Sequence, residues 1–200
     1  MESLKSKQLW EEFFKDFCEE CKELYKIKGF TYSIPKEEHI RSALYSFLKT
    51  KGCKMEVESD FFEGYRKDGY PKQAGEYDIR IISPFSSVIE IKRASALKDW
   101  QNGYSDFLEK WRDDIKKLEK IGKLAPTTPK TEEDWNKINR KSEKCFVLIT
   151  FSNKPLYDNL KKKSIDEFNS NLNGFDLIEH FEEENIGEEI ACDLFIWTKK

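Results

Sequence analysis

Two hundred residues fit one domain with room for a sizeable core, and 38% apolar against 36% charged residues describes a heavily solvated globule. The apolar residues fall in periodic clusters and 14% of the chain is aromatic, which excludes wholesale disorder. A membrane span is excluded by the lack of any apolar run of about eighteen residues, and the first residues, MESLKSKQLWEEFFKDFCEECKEL, lack the pattern of a secretory leader.

Five scattered cysteines and two histidines supply a zinc site poorly, although Cys18 and Cys21 have CxxC spacing. Reduced thiols in a cytoplasm are the expectation. The net charge of −3 neither supports nor opposes a polyanionic partner, but its distribution is uneven. Ten acidic and no basic residues fall between Ser164 and Thr198, whereas residues 1–163 hold 33 basic against 28 acidic side chains. The acidic stretch is expected to face away from a phosphate-bearing substrate, or to meet another protein.

In chain order, residues 4–28 carry a helical stripe through Leu9, Trp10, Phe13, Phe14, Phe17, Cys18, Cys21 and Leu24, closed by Gly29. A second helix is predicted from about Lys36 to Lys51, with Ser33 as its cap, Pro35 at its start and Gly52 at its end. Its stripe is Ile40, Ala43, Leu44, Phe47 and Leu48. CKMEVESDFF alternates as a strand, and Glu63 to Gly75 reads as a loop. Strands at Tyr77–Ile82 and Ser87–Lys92 flank a turn at Pro84-Phe85-Ser86.

A long amphipathic helix is predicted over about 97–121, and a short one from Thr131. CFVLITF, residues 145–151, reads as a central strand buried on both faces. Residues 155–184 are predicted helical with a break near Gly174, and ACDLFIW, 191–197, is the last strand. The order predicts a single α/β domain: a mixed central sheet flanked by helices on both faces, with an N-terminal helix (1–30), a catalytic core (36–152) and C-terminal helices with the last strand (155–200).

The segment EYDIRIISPFSSVIEIKRA, residues 76–94, carries the chemistry. Alternation along a strand places Asp78, Arg80 and Ile82 on one side and Ile79 and Ile81 on the other. Likewise Val88, Glu90 and Lys92 oppose Ile89 and Ile91. Burying the four isoleucines together forces Asp78 onto the face of Glu90 and Lys92, since a slip of one residue would bury the charges. Pairing through the Pro84–Ser86 turn is expected to set Asp78 opposite Lys92, with Glu90 diagonal to it. The plain alternative is a solvated salt-bridge cluster. Against it, neighbouring helices need sheet surface to cover, and gathered carboxylates repel unless cations stand between them. A hard divalent ion with oxygen ligands, Mg2+ or Mn2+, suits the grouping and the hydrolysis of a phosphodiester.

Asp78, eleven residues, then Glu90-Ile91-Lys92 resembles the PD-(D/E)XK signature of restriction endonucleases, Holliday-junction resolvases and related nucleases. Tyr77 stands where the family name has proline. In that family the helix before the first strand often bears a glutamate that completes the site. Residues 37–52 resemble the stretch of type I restriction subunits in which a glutamate precedes an arginine by four positions, and Glu37 and Arg41 have that spacing. Helical phase agrees: Glu37 lies about 50° from the centre of the apolar stripe, and Glu38, the reserve, points nearly opposite.

The resemblance covers about residues 36–150. It implies a restriction endonuclease-like fold and a Mg2+- or Mn2+-dependent DNA endonuclease of restriction, phage-defence or repair type. Asp78, Glu90 and Glu37 would be its metal ligands, with Lys92 the fourth catalytic residue. RNA stays open as a substrate, as does action as a homodimer or in a larger complex. The alternative is a nuclease fold that binds nucleic acid or protein without turnover. Secondary candidates for nucleic-acid contact are Lys72 and Gln73 on the loop before Asp78, Arg93 beside the lysine, and Gln101 on the following helix.

Overall fold

The computed structural model describes residues 3–28, 35–60, 76–96, 118, 142–153, 174–187 and 190–199. Two helices, α1 (Lys7–Lys28) and α2 (Glu37–Thr50), precede six strands: β1 (Lys54–Asp60), β2 (Glu76–Ser83), β3 (Ser87–Ala96), β4 (Glu143–Asn153), β5 (Phe175–Gly187) and β6 (Ile190–Lys199). The strands form one mixed sheet in the order β1-β2-β3-β4-β6-β5. β3 and β4 run parallel and every other neighbouring pair is antiparallel. The chain is therefore α/β with a mixed sheet, as its pattern of elements predicts, but the sheet has six strands where that pattern gave five.

β4 occupies the middle, and Cys145 through Ile149 are fully buried, which is what a continuous apolar run buried on both faces requires. Helix α1 lays its Trp10, Phe13, Phe14, Phe17, Cys18 and Cys21 stripe into a core that it shares with Ile40, Leu44 and Leu48 of α2. Phe13 packs on Phe47 of α2 at 5.6 Å between ring centroids, and Phe14 meets Phe181 of β5 at 6.0 Å. The isoleucines of the hairpin, Ile79, Ile81, Ile89 and Ile91, all enter this core, so both described helices cover the isoleucine face of the sheet. Gly52, with φ of 83°, ends α2 as predicted. Its N-cap is Lys36, without a side-chain cap, where the sequence suggested Ser33. Among the described residues no helix is long and apolar enough to cross a membrane.

One expected element is of a different kind. Residues 175–184, read as part of a C-terminal helix, belong to β5, so that this end of the chain contributes two strands of the sheet. Phe175, Ile178 and Phe181 recur every three residues, which imitates a helix. The spacing arises from a bulge: Leu177 pairs with Trp197 and Glu179 with Ile196, leaving Ile178 as the extra residue. Beyond it Glu179, Phe181 and Glu183 turn toward α1, where Glu179 and Glu183 meet Lys7 and Lys22 at 3.8 and 3.6 Å. Part of the acidic stretch thus faces the first helix. The predicted helices at 97–121, of which Leu118 alone is described, at Thr131 onward and at 155–173 lie outside the described residues.

Candidate active site

The β2–β3 hairpin sets the site. Its ladder pairs Ile81 with Ser87, Arg80 with Val88 and Ile79 with Ile89. The next step brings Asp78 level with Glu90, two residues from the expected pairing of Asp78 with Lys92. The last pair of the ladder is Ile81 with Ser87, so the connection takes in residues 82–86 where a turn of 84–86 was expected. A shift of two residues preserves every face. Asp78, Glu90 and Lys92 remain on one side and the four isoleucines on the other, as the alternation requires.

Beyond Ile79 the ladder gives way to a side chain. Continued pairing would oppose Ile91 to Tyr77, but the Ile91 backbone N–H instead donates to Asp78 Oδ2 at 2.7 Å. The aspartate thus stands in the split between β2 and β3. α2 delivers two more residues from its first two turns. Arg41 Nη1 lies 3.3 Å from Asp78 Oδ1, and Glu37 Oε1 lies 3.2 Å from Lys92 Nζ. Lys92 Nζ also stands 3.4 Å from Glu90 Oε1, two residues back on β3. Glu37, Asp78, Glu90 and Lys92, singled out from sequence, therefore converge, and Glu37 rather than the exposed Glu38 is the glutamate that α2 contributes.

Burial separates this cluster from a solvated one. The side chains of Glu90, Asp78 and Lys92 retain 3%, 12% and 16% of their exposure, while Glu37, at 39%, forms the open rim. A carboxylate as buried as Glu90 is tolerated when a cation and hydrogen bonds accompany it. Arg93 follows Lys92, and burial lowers its pKa while the charges of Glu37 and Glu38 push it up. Its Nε is buried without a hydrogen-bond partner among the described residues. Arg93 accordingly lies toward α2, the side opposite Lys92 expected from alternation. Lys72, Gln73 and Gln101 lie outside the described residues.

The donor set of Glu37, Asp78 and Glu90 consists of carboxylate oxygens, which fits a hard ion such as Mg2+ that is often held by one or two carboxylates and water. Their oxygens are not drawn into one tight group. Arg41 and Lys92 stand among them, so each carboxylate has a cationic side chain within 4 Å.

Among the described residues, the group of three or more possible ligands whose donor atoms all lie within 4.8 Å is His180, Glu182 and Asp193. Sequence reading missed it. His180 Nε2 lies 2.7 Å from Asp193 Oδ1, and the imidazole stacks on Phe195 with centroids 4.4 Å apart. Glu182 pairs directly across from Asp193, and His180 from Phe195. The three come together through pairing of β5 with β6, a signal available only to a reader who takes 175–187 as a strand. A nitrogen and two carboxylates could take a divalent ion, and His180 also compensates the buried Asp193.

The cysteines carry no such chemistry. All five are free and buried, and burial raises the thiol pKa of Cys21, Cys53, Cys145 and Cys192. Cys18 and Cys21 face Cys192 inside the core. Compared with family models, curated proteins and solved structures, the chain finds no match.

Proposed function

We propose that this chain is a metal-dependent nuclease that hydrolyses phosphodiester bonds of DNA, on a restriction endonuclease-like fold. One observation carries the reading: Asp78, Glu90, Lys92 and Glu37, which the PD-(D/E)XK pattern singles out along the sequence, meet at the split between β2 and β3. A chance match of so short a string would have no reason to be joined by a glutamate from the preceding helix, nor to bury Glu90 beside Lys92.

In this reading Asp78 and Glu90, with Glu37 at the rim, hold Mg2+ or Mn2+. When bound there, the ion would supply positive charge to the scissile phosphate and acidify water. Lys92, fixed between Glu37 and Glu90, orients the attacking water or offsets charge on the pentavalent phosphorus. Asp78 is kept in position by the Ile91 N–H, so that the ligand is preorganised by backbone rather than by a mobile side chain. Cleavage of DNA in Mg2+ or Mn2+ that disappears in Lys92→Ala and Glu90→Gln is the expected result. A folded protein that cuts no nucleic acid with either metal would move the assignment to a binding module on the same fold.

A further inference from the structure

Asp78 is held from two sides by groups of different kinds. Its Oδ2 accepts the Ile91 backbone N–H at 2.7 Å, and its Oδ1 accepts Arg41 at 3.3 Å. The first contact fixes the carboxylate in the β2–β3 split. The second is longer and brings a full charge from α2, one turn beyond Glu37. Both members of the ion pair are sheltered, with 19% and 12% of their side chains exposed, so the attraction is stronger than between surface residues. Arg41 therefore adds little to the aim of Asp78 and much to the electrostatic balance of the site. Lys92 stands between the other two carboxylates, and the three acids are largely neutralised by the protein's own cations.

Resting on the nuclease reading above, we propose that Arg41 is a built-in counter-cation that occupies Asp78 until a divalent ion displaces it, and so sets the metal affinity of the site. It acts on the metal through Asp78, as a competitor for that carboxylate. A guanidinium is always charged and cannot leave by losing a proton, so it must swing away as the ion arrives. The ion then has to outcompete an intramolecular partner, which weakens its binding. The gain is stability of the metal-free protein: a sheltered carboxylate with no cation beside it would be costly.

The sign of this effect separates the proposal from a merely structural role. Removing a supporting residue loosens a metal site, whereas removing a competitor tightens it. The test is a calorimetric titration of the full-length chain with Mn2+ alone, comparing wild type, Arg41→Gln, Arg41→Lys and Asp78→Asn, with circular dichroism to confirm folding. For one unit of positive charge removed a few ångströms from the ion, Arg41→Gln is expected to bind Mn2+ about tenfold more tightly than wild type. Arg41→Lys keeps the charge and stays within about threefold of wild type. Asp78→Asn loses the site.

If wild type takes up Mn2+ through Asp78 and Arg41→Gln binds equally or more weakly, the counter-cation role is wrong while the nuclease reading stands. Metal-free Arg41→Gln is expected to fold with lowered stability, since Asp78 loses its cation, and a variant as stable as wild type without metal would also overturn the proposal. If no protein shows uptake that depends on Asp78, both this inference and the metal-dependent reading fall.

Discussion

Lys92→Met tests whether the charged cluster is built into the protein or merely rests on its surface. The substitution keeps length and apolar bulk but removes the ammonium 3.4 Å from Glu90 and 3.2 Å from Glu37. Glu37 keeps 39% of its exposure and can turn to water, so its share of the loss is about 0–1 kcal/mol. Glu90 keeps 3% and cannot. Removing one member of a buried ion pair costs about 3–5 kcal/mol in other proteins, and the total expected here is about 3 kcal/mol. For a chain of this size that corresponds to a fall in Tm of roughly 6–12 °C.

Glu90→Gln alone should cost less, since Lys92 retains Glu37, and the double variant Lys92→Met/Glu90→Gln should recover much of the loss. Urea unfolding of the four proteins gives the cycle, with a coupling energy of about 2 kcal/mol expected for the Lys92–Glu90 pair. A loss below about 0.5 kcal/mol for Lys92→Met, with no coupling, would refute the reasoning and return the cluster to the class of solvated surface pairs.

Two further outcomes follow from the frame that carries the site. Because all five cysteines are buried and burial raises the thiol pKa of four of them, a thiol reagent such as dithiobisnitrobenzoate should label none within minutes in native buffer and all five in denaturant. Rapid native labelling would contradict the packing of α1 on the sheet. Gly187 has a φ of 153°, and a Cβ there would come within 2.5 Å of the Tyr25 ring. Gly187→Ala should therefore destabilise by about 1–3 kcal/mol in chemical denaturation, with partial recovery when Tyr25 is also reduced to Ala.

Local pattern predicted the gathering of these side chains better than it predicted the sheet. Alternation of isoleucine with charge placed Asp78, Glu90 and Lys92 on one face, because a strand cannot bury four isoleucines any other way. Helical phase chose Glu37 over Glu38 for the same kind of reason. The hairpin register was not legible, since alternation fixes the faces but not a shift of two residues, and the connection takes in residues 82–86. β5 was hidden by a bulge at Ile178 that gives a strand the spacing of a helix, in a glutamate-rich segment that favours helix by composition. The His180–Asp193 contact was hidden with it, because only the pairing of β5 and β6 brings those residues within 2.7 Å. Arg41 was noticed for its spacing from Glu37, but its hold on Asp78 needed the packing of α2 over β2 and β3.

The central claim is most directly tested by incubating the purified chain with supercoiled plasmid, single-stranded DNA and RNA, in Mg2+ or Mn2+, beside EDTA and Lys92→Ala controls. DNA is expected to be cut with metal, and cutting to be lost both in EDTA and in a folded Lys92→Ala protein. Cleavage that persists in Lys92→Ala, or no cleavage of any substrate by well-folded wild type, would contradict it.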